Sequence, residues 1–142
     1  MNINPENGSL ILPDGQTITA ATNFDELQAR WPRSELANQL SFSFIAQSRR
    51  YTLAAQFDGQ RLRQLTLFFC PVGEDLSWEN WSESRELQRR RQFDRWLDKQ
   101  LGAAPCTVKS SAAGRCRCFP WGSVGAYYHP QDGSTRMVLA YG

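Results

Sequence analysis

Asn80-Trp-Ser-Glu-Ser-Arg-Glu-Leu-Gln-Arg-Arg-Arg-Gln-Phe-Asp-Arg-Trp-Leu-Asp-Lys-Gln-Leu101, with Gly102 after it, is the stretch whose reading decides the fold. Leu87, Trp96, Leu97 and Leu101, with Phe93 nearby, recur at helical spacing, so one apolar stripe is available to lie on another layer. Asn80 and Glu83 have the spacing of a capping box, with Ser77 and Ser82 as rival caps. Gly102 stands where a left-handed C-terminal cap is common. The spacing therefore predicts one long helix over 80–101.

Downstream, Ala103 to Ala113 is small and polar and reads as a flexible loop. Three alternating runs follow, Arg115–Phe119, Ser123–His129 and Ser134–Tyr141, separated by Pro120-Trp-Gly and Pro130-Gln-Asp-Gly. Such runs between turn residues read as antiparallel strands.

Upstream, Ser9-Leu-Ile-Leu and Gln16-Thr-Ile-Thr flank Pro13-Asp-Gly and predict a hairpin. Asn23 is placed to cap a short helix, Phe24 to Arg30, with Asp25 and Glu26 where the helix dipole favours anions. Pro32 should end it, and a second short helix is expected over Ser34 to Leu40. From Ser41 the period becomes alternating, with Phe42, Phe44 and Ala46 on one face. Tyr51, Leu53, Ala55 and Phe57 alternate up to the turn dipeptide Asp58-Gly59. Arg61 to Cys70 carries Leu65, Leu67 and Phe69 on one face and Leu62, Thr66 and Phe68 on the other, the pattern of a central strand. Pro71 to Trp78 is a loop holding Gly73, Glu74 and Asp75. The whole predicts a single α+β domain over 1–142. It consists of a mostly antiparallel sheet of six to eight strands against one long helix and one or two short ones over 23–40.

A 142-residue chain, 41% hydrophobic and 12% aromatic, buries roughly two thirds of its unfolded surface and needs no disulfide or metal to be stable. Its first residues lack the basic and apolar regions of a signal peptide, and no membrane-length apolar run occurs, so a cytoplasmic protein is expected. Cys70, Cys106, Cys116 and Cys118 are then expected as free thiols. The net charge of +2 is too small for the positive field that drives nucleic-acid binding. All but two of the cations are Arg, which suits planar contacts at a protein interface and equally reflects a GC-rich genome.

Candidate chemistry is sparse. Arg89, Arg90 and Arg91 are adjacent, and adjacent helical residues point in different directions. Glu86 to Arg90 is a favourable pair on the same helix and Arg91 to Arg95 a repulsive one, so a solvated face is expected there. Cys116 and Cys118 share a strand face, with no second closely spaced pair to complete a structural zinc site, and read as buried apolar thiols. His129, the only histidine, precedes Pro130 in a turn. Asp14, Asp58 and Asp132 each precede Gly, which is turn chemistry. Gly122-Ser-Val-Gly125 is not a phosphate loop. No catalytic, metal or cofactor residues are assigned. Trp81 and Trp121 are expected in the core, and Trp78, Arg85 and Tyr127 as exposed anchors of the kind enriched at interfaces.

Trp78-Glu-Asn-Trp81-Ser-Glu-Ser-Arg-Glu86, Trp96-Leu97 with Leu101-Gly102, and Phe119-Pro-Trp-Gly-Ser-Val124 with Tyr128-His-Pro and Gly133 together resemble small bacterial immunity proteins. These are found beside polymorphic toxins and type VI secretion effectors. The resemblance runs from Trp78 to Tyr141, a little under half of the chain, and its motifs are structural. It implies a non-catalytic protein that neutralises a cognate toxin by stoichiometric binding, as a monomer or weak dimer, without nucleic acid or membrane. Immunity proteins against basic nucleases are often strongly acidic and this chain is not, so the resemblance implies either a toxin that acts on a target other than nucleic acid or a local contact, with Glu74, Asp75, Glu79 and Glu83 facing a basic cleft. The alternatives are a secretion adaptor or chaperone for an effector, and a small enzyme whose site is assembled by tertiary proximity.

Overall fold

The computed structural model describes residues 1–31 and 38–142. Three two-residue strands, β1 (Asn2–Ile3), β2 (Leu10–Ile11) and β3 (Thr17–Ile18), form a small antiparallel sheet, and α1 (Phe24–Gln28) follows. Then come β4 (Gln39–Ala46), β5 (Arg49–Asp58) and β6 (Arg61–Pro71), a single 3-10 turn at Trp78–Asn80, and α2 (Glu83–Leu101). The chain ends with β7 (Thr107–Ser110), β8 (Gly114–Phe119), β9 (Gly122–His129) and β10 (Ser134–Tyr141). The large sheet has seven antiparallel strands in the order β4-β5-β6-β10-β9-β8-β7.

The last strand thus enters the middle of the sheet and pairs with β6 on one side and β9 on the other. Its burial alternates strictly: Thr135, Met137, Leu139 and Tyr141 are buried, and Ser134, Arg136, Val138 and Ala140 are partly exposed. One face of the sheet therefore holds the core and the other is turned to solvent. Phe93, Leu97 and Leu101 of α2 lie on the core face over β9 and β10. Ile3, Leu10 and Ile18 of the small sheet join the same core, as do Leu27 and Trp31. Ile3 N–H donates to Gln100 Oε1 at 3.0 Å, so the N-terminal sheet is fastened to α2.

Trp121 fixes the N-terminal segment from the other side. Its ring stacks on Phe119, its Nε1 donates to the Pro5 carbonyl at 2.9 Å, and a Cβ at Gly8 would lie 2.5 Å from the indole. Gly8 also has φ +74°, so both space and backbone demand glycine there.

Four local expectations are corrected. The helix starts at Glu83 with Ser82 as cap, its Oγ accepting from Arg85 N–H at 3.3 Å, because Asn80 is taken up by the 3-10 turn. The segment after Gly102 is not all loop: β7 adds the outermost strand, where main-chain pairing with β8 outweighs its polar composition. Most of the second helix expected over Ser34 to Leu40 lies outside the described residues, and its last two residues, Gln39 and Leu40, already belong to β4. Trp81 is 40% exposed rather than a core residue.

Candidate partner-binding surface

The connection from β6 to α2 carries the surface. Its base is a chain of charges in which Glu74, with its side chain only 13% exposed, is ion-paired to Arg89 and stands 3.5 Å from Arg85. Arg89 also donates to Glu86 Oε1 at 2.8 Å. The other oxygen of Glu86 accepts the Thr135 amide at 3.1 Å, and the Thr135 hydroxyl donates to the Glu86 carbonyl at 2.6 Å. The loop is thereby bonded to α2, and α2 to β10. Glu86 is a buried anchor, not half of a solvated pair with Arg90, which instead reaches the Ala113 carbonyl at 3.3 Å. The helical stripe explains this: Glu86 precedes Phe93 by two turns and falls on the face that meets the sheet.

The rest of the loop is held by local bonds. Ser77 N–H donates to the Asp75 carboxylate at 2.9 Å, which holds the Asp75 carboxyl below its ordinary value and keeps it charged. Asn80 Nδ2 donates to the Asp75 carbonyl at 2.8 Å and Arg85 donates to the Asn80 carbonyl at 3.1 Å. Trp81 Nε1 donates to the Gly133 carbonyl at 2.7 Å. Gly133 has φ +66°, and a Cβ there would lie 2.9 Å from the indole nitrogen, so this contact needs glycine.

On this frame sit apolar side chains that the core does not use. Leu76 is 72% exposed and Trp78 75%, the Trp78 ring lying 6.2 Å from that of Trp81. Val72 is exposed as well. Of the seven large exposed hydrophobic residues among those described, four fall in this one connection. Between Trp78, Trp81 and Arg85 lies a depression of about 110 Å³. Asp75, Glu79 and Glu83 are exposed around it.

The sequence-assigned residues are thus brought together with two differences. Glu74 faces inward and its charge is matched by Arg85 and Arg89. Tyr127 is elsewhere: it projects from the solvent face of β9, with its hydroxyl over Gly125 and beside Cys116. Burial and that thiol raise its phenol well above the ordinary value. Tyr128 is the tyrosine on the helix side, buried, with its hydroxyl 3.5 Å from Glu83. Adjacent strand residues face opposite ways, so the sequence offered both and the cover of α2 chose Tyr128. Leu76 was missed by sequence reasoning. Its signal was an apolar residue in an otherwise polar loop.

The thiols lie apart from this surface. Cys106 is exposed, whereas Cys70, Cys116 and Cys118 are half-buried rather than buried, and the sulfurs of Cys116 and Cys118 are 4.0 Å apart. Burial and Cys116 raise the Cys118 thiol. His129 is half-buried with Tyr127 as its aromatic neighbour. Among the described residues no three His, Cys, Asp or Glu side chains are grouped to hold a metal, and no helix is long and apolar enough to cross a membrane.

No protein-family model matches the chain, and no curated protein matches it. The chain is similar to a solved structure, a chain of the complex of Rhs1-CT with its cognate immunity protein RhsI1. The likeness has a TM-score of 0.58 at 18% identity and covers 99% of this chain and 86% of that one. At this identity the likeness is one of fold. It spans the large sheet, α2 and the small N-terminal sheet alike. That complex holds both Rhs1-CT and its immunity protein, so the likeness by itself assigns this chain to neither side.

Proposed function

We propose that the protein is an immunity protein, which neutralises a cognate toxin or secreted effector in the bacterial cytoplasm by one-to-one binding and performs no catalysis. The observation that carries this reading is the concentration of Val72, Leu76, Trp78 and Trp81 on a connection fixed by the Glu74, Arg85, Arg89 and Glu86 charges. A surface ordered before binding loses little entropy when a partner docks, and exposed tryptophan flanked by arginine is the composition of interface hot spots. Asp75, Glu79 and Glu83 ring the apolar residues and complement a basic cleft locally, although the chain as a whole carries +2. The resemblance of 78–141 to immunity proteins of type VI and polymorphic toxin systems supports the inhibitor side, and the fold likeness to one chain of a toxin–immunity complex agrees with a place in such a pair.

The test is affinity purification of the tagged chain from its native lysate, followed by expression of the retained partner with and without it. A stoichiometric partner that kills unless this chain is present, and kills again with Trp78→Ala, is the expected result. Growth arrest by this chain alone would place it on the toxin side. Loss of effector export without sensitivity to the effector would make it an adaptor or chaperone instead.

A further inference from the structure

A groove of about 540 Å³ opens between the second half of α2 and the end of the large sheet where β4 turns into β5. Its floor is aromatic: Phe44 stacks on Tyr51 at 5.1 Å, Tyr51 lies 5.9 Å from Phe69, and Phe69 meets Phe93 edge-on at 4.8 Å. Its charged lining residues are Arg49, whose guanidinium covers Phe69 at 4.7 Å, and Lys99. Among the described residues no Asp or Glu lines it. Among the described residues no carboxylate lies within ion-pair distance of either cation.

One wall of the groove is the end of an edge strand. Phe44 and Ala46 of β4 line it, and among the described residues β4 pairs with β5 alone. Edge strands are normally blunted by charges, proline or shortness. The opposite edge, β7, follows that rule, being four residues long with Lys109 inside it and Pro105 just before it. The eight residues of β4, Gln-Leu-Ser-Phe-Ser-Phe-Ile-Ala, contain neither charge nor proline. An unblunted edge beside an apolar groove is the arrangement in which an extended segment pairs with the backbone and drops alternate side chains into a pocket.

We propose that this groove binds an extended acidic segment of a partner protein. The segment adds to the outer edge of β4, seats an apolar side chain on the Phe44, Tyr51 and Phe69 floor, and sets carboxylates against Arg49 and Lys99. Cationic lining without anions selects acidic over basic segments. The site is distinct from the 72–83 surface, since Arg85 and Trp96 on α2 are roughly 16 Å apart along the helix axis. It does not depend on the toxin-neutralising reading.

The experiment is fluorescence anisotropy with a fluorescein-labelled decapeptide of alternating leucine and glutamate, and a second peptide with lysine in place of glutamate. The expected result is saturable binding of the glutamate peptide, with affinity falling at least about tenfold in Arg49→Glu and in Lys99→Glu and weakening with added salt. Lys99 is exposed on α2, so Lys99→Glu keeps the fold and the test survives a damaged Arg49 variant. The Trp78→Ala protein should bind the peptide as wild type does, which separates this site from the loop. Failure to saturate by about 1 mM, equal binding of the lysine peptide, or unchanged affinity in Lys99→Glu would overturn the proposal.

Discussion

Thr135 and Glu86 are joined twice: the Thr135 amide donates to the Glu86 carboxylate at 3.1 Å and its hydroxyl to the Glu86 carbonyl at 2.6 Å. A helix is thereby bonded, side chain and main chain, to the central strand of the sheet it covers. Arg89, itself almost buried, completes the shell of the Glu86 carboxylate. Glu86→Ala would leave the Thr135 amide without its acceptor and Arg89 with Glu74 as its one carboxylate partner among the described residues. It should destabilise the protein by about 1–3 kcal/mol, read from urea unfolding. Glu86→Gln, which keeps an acceptor, should cost clearly less.

Leu97 lies on the same helix and is fully buried between α2 and the sheet. Leu97→Ala should cost about 2–5 kcal/mol, since the transfer term and the cavity term add. A loss below about 1 kcal/mol would mean that α2 is loosely docked.

Trp78 is three-quarters exposed and makes no side-chain hydrogen bond among the described residues. Trp78→Ala should change stability by no more than about 0.5 kcal/mol. Binding of the partner should weaken by about 2 kcal/mol, roughly thirtyfold. Calorimetry of the purified complex separates the two effects.

Gly133 supports the indole of Trp81 from beneath with φ +66°. Gly133→Ala should destabilise by about 1–2 kcal/mol through the left-handed backbone alone. It should also shift the Trp81 indole N–H resonance, because the added carbon displaces the ring from the carbonyl it bonds.

Asp94 contributes a pH dependence of its own. It is partly buried on α2 with one carboxylate oxygen lacking a hydrogen-bond partner, and desolvation raises its carboxyl above the ordinary value despite Arg115, Arg117 and Arg90 nearby. The folded state therefore holds this proton more tightly than the unfolded chain. Its contribution falls as pH rises from the unfolded value, about 3.9, to the raised folded value, and is level above that. The stability of Asp94→Asn relative to wild type should grow through that window and then stay constant, as followed by thermal melts from acid to neutral pH.

The strands from Tyr51 to Cys70 and from Arg115 to Tyr141 were legible because alternation and turn dipeptides are local signals, and a strand needs little more to declare itself. The long helix was legible for the same reason, and its start was missed by three residues because Asn80, Ser77 and Ser82 offer the same chemistry. β7 was missed because a polar, exposed strand has no pattern of its own and exists by pairing with β8.

By itself the sequence determined the long helix, the strands with an alternating pattern, the α+β class and the loop on which the candidate surface stands, since each depends on neighbours a few residues apart. The tertiary structure alone decided that β10 lies at the centre of the sheet, that Glu86 is an anchor and Glu74 a neutralised base, and that Tyr128 rather than Tyr127 faces α2. Those outcomes depend on which groups meet across dozens of residues. A carboxylate next to arginine in space carries a different charge to the surface from the same carboxylate in water, and the order of residues along the chain does not say which it will be.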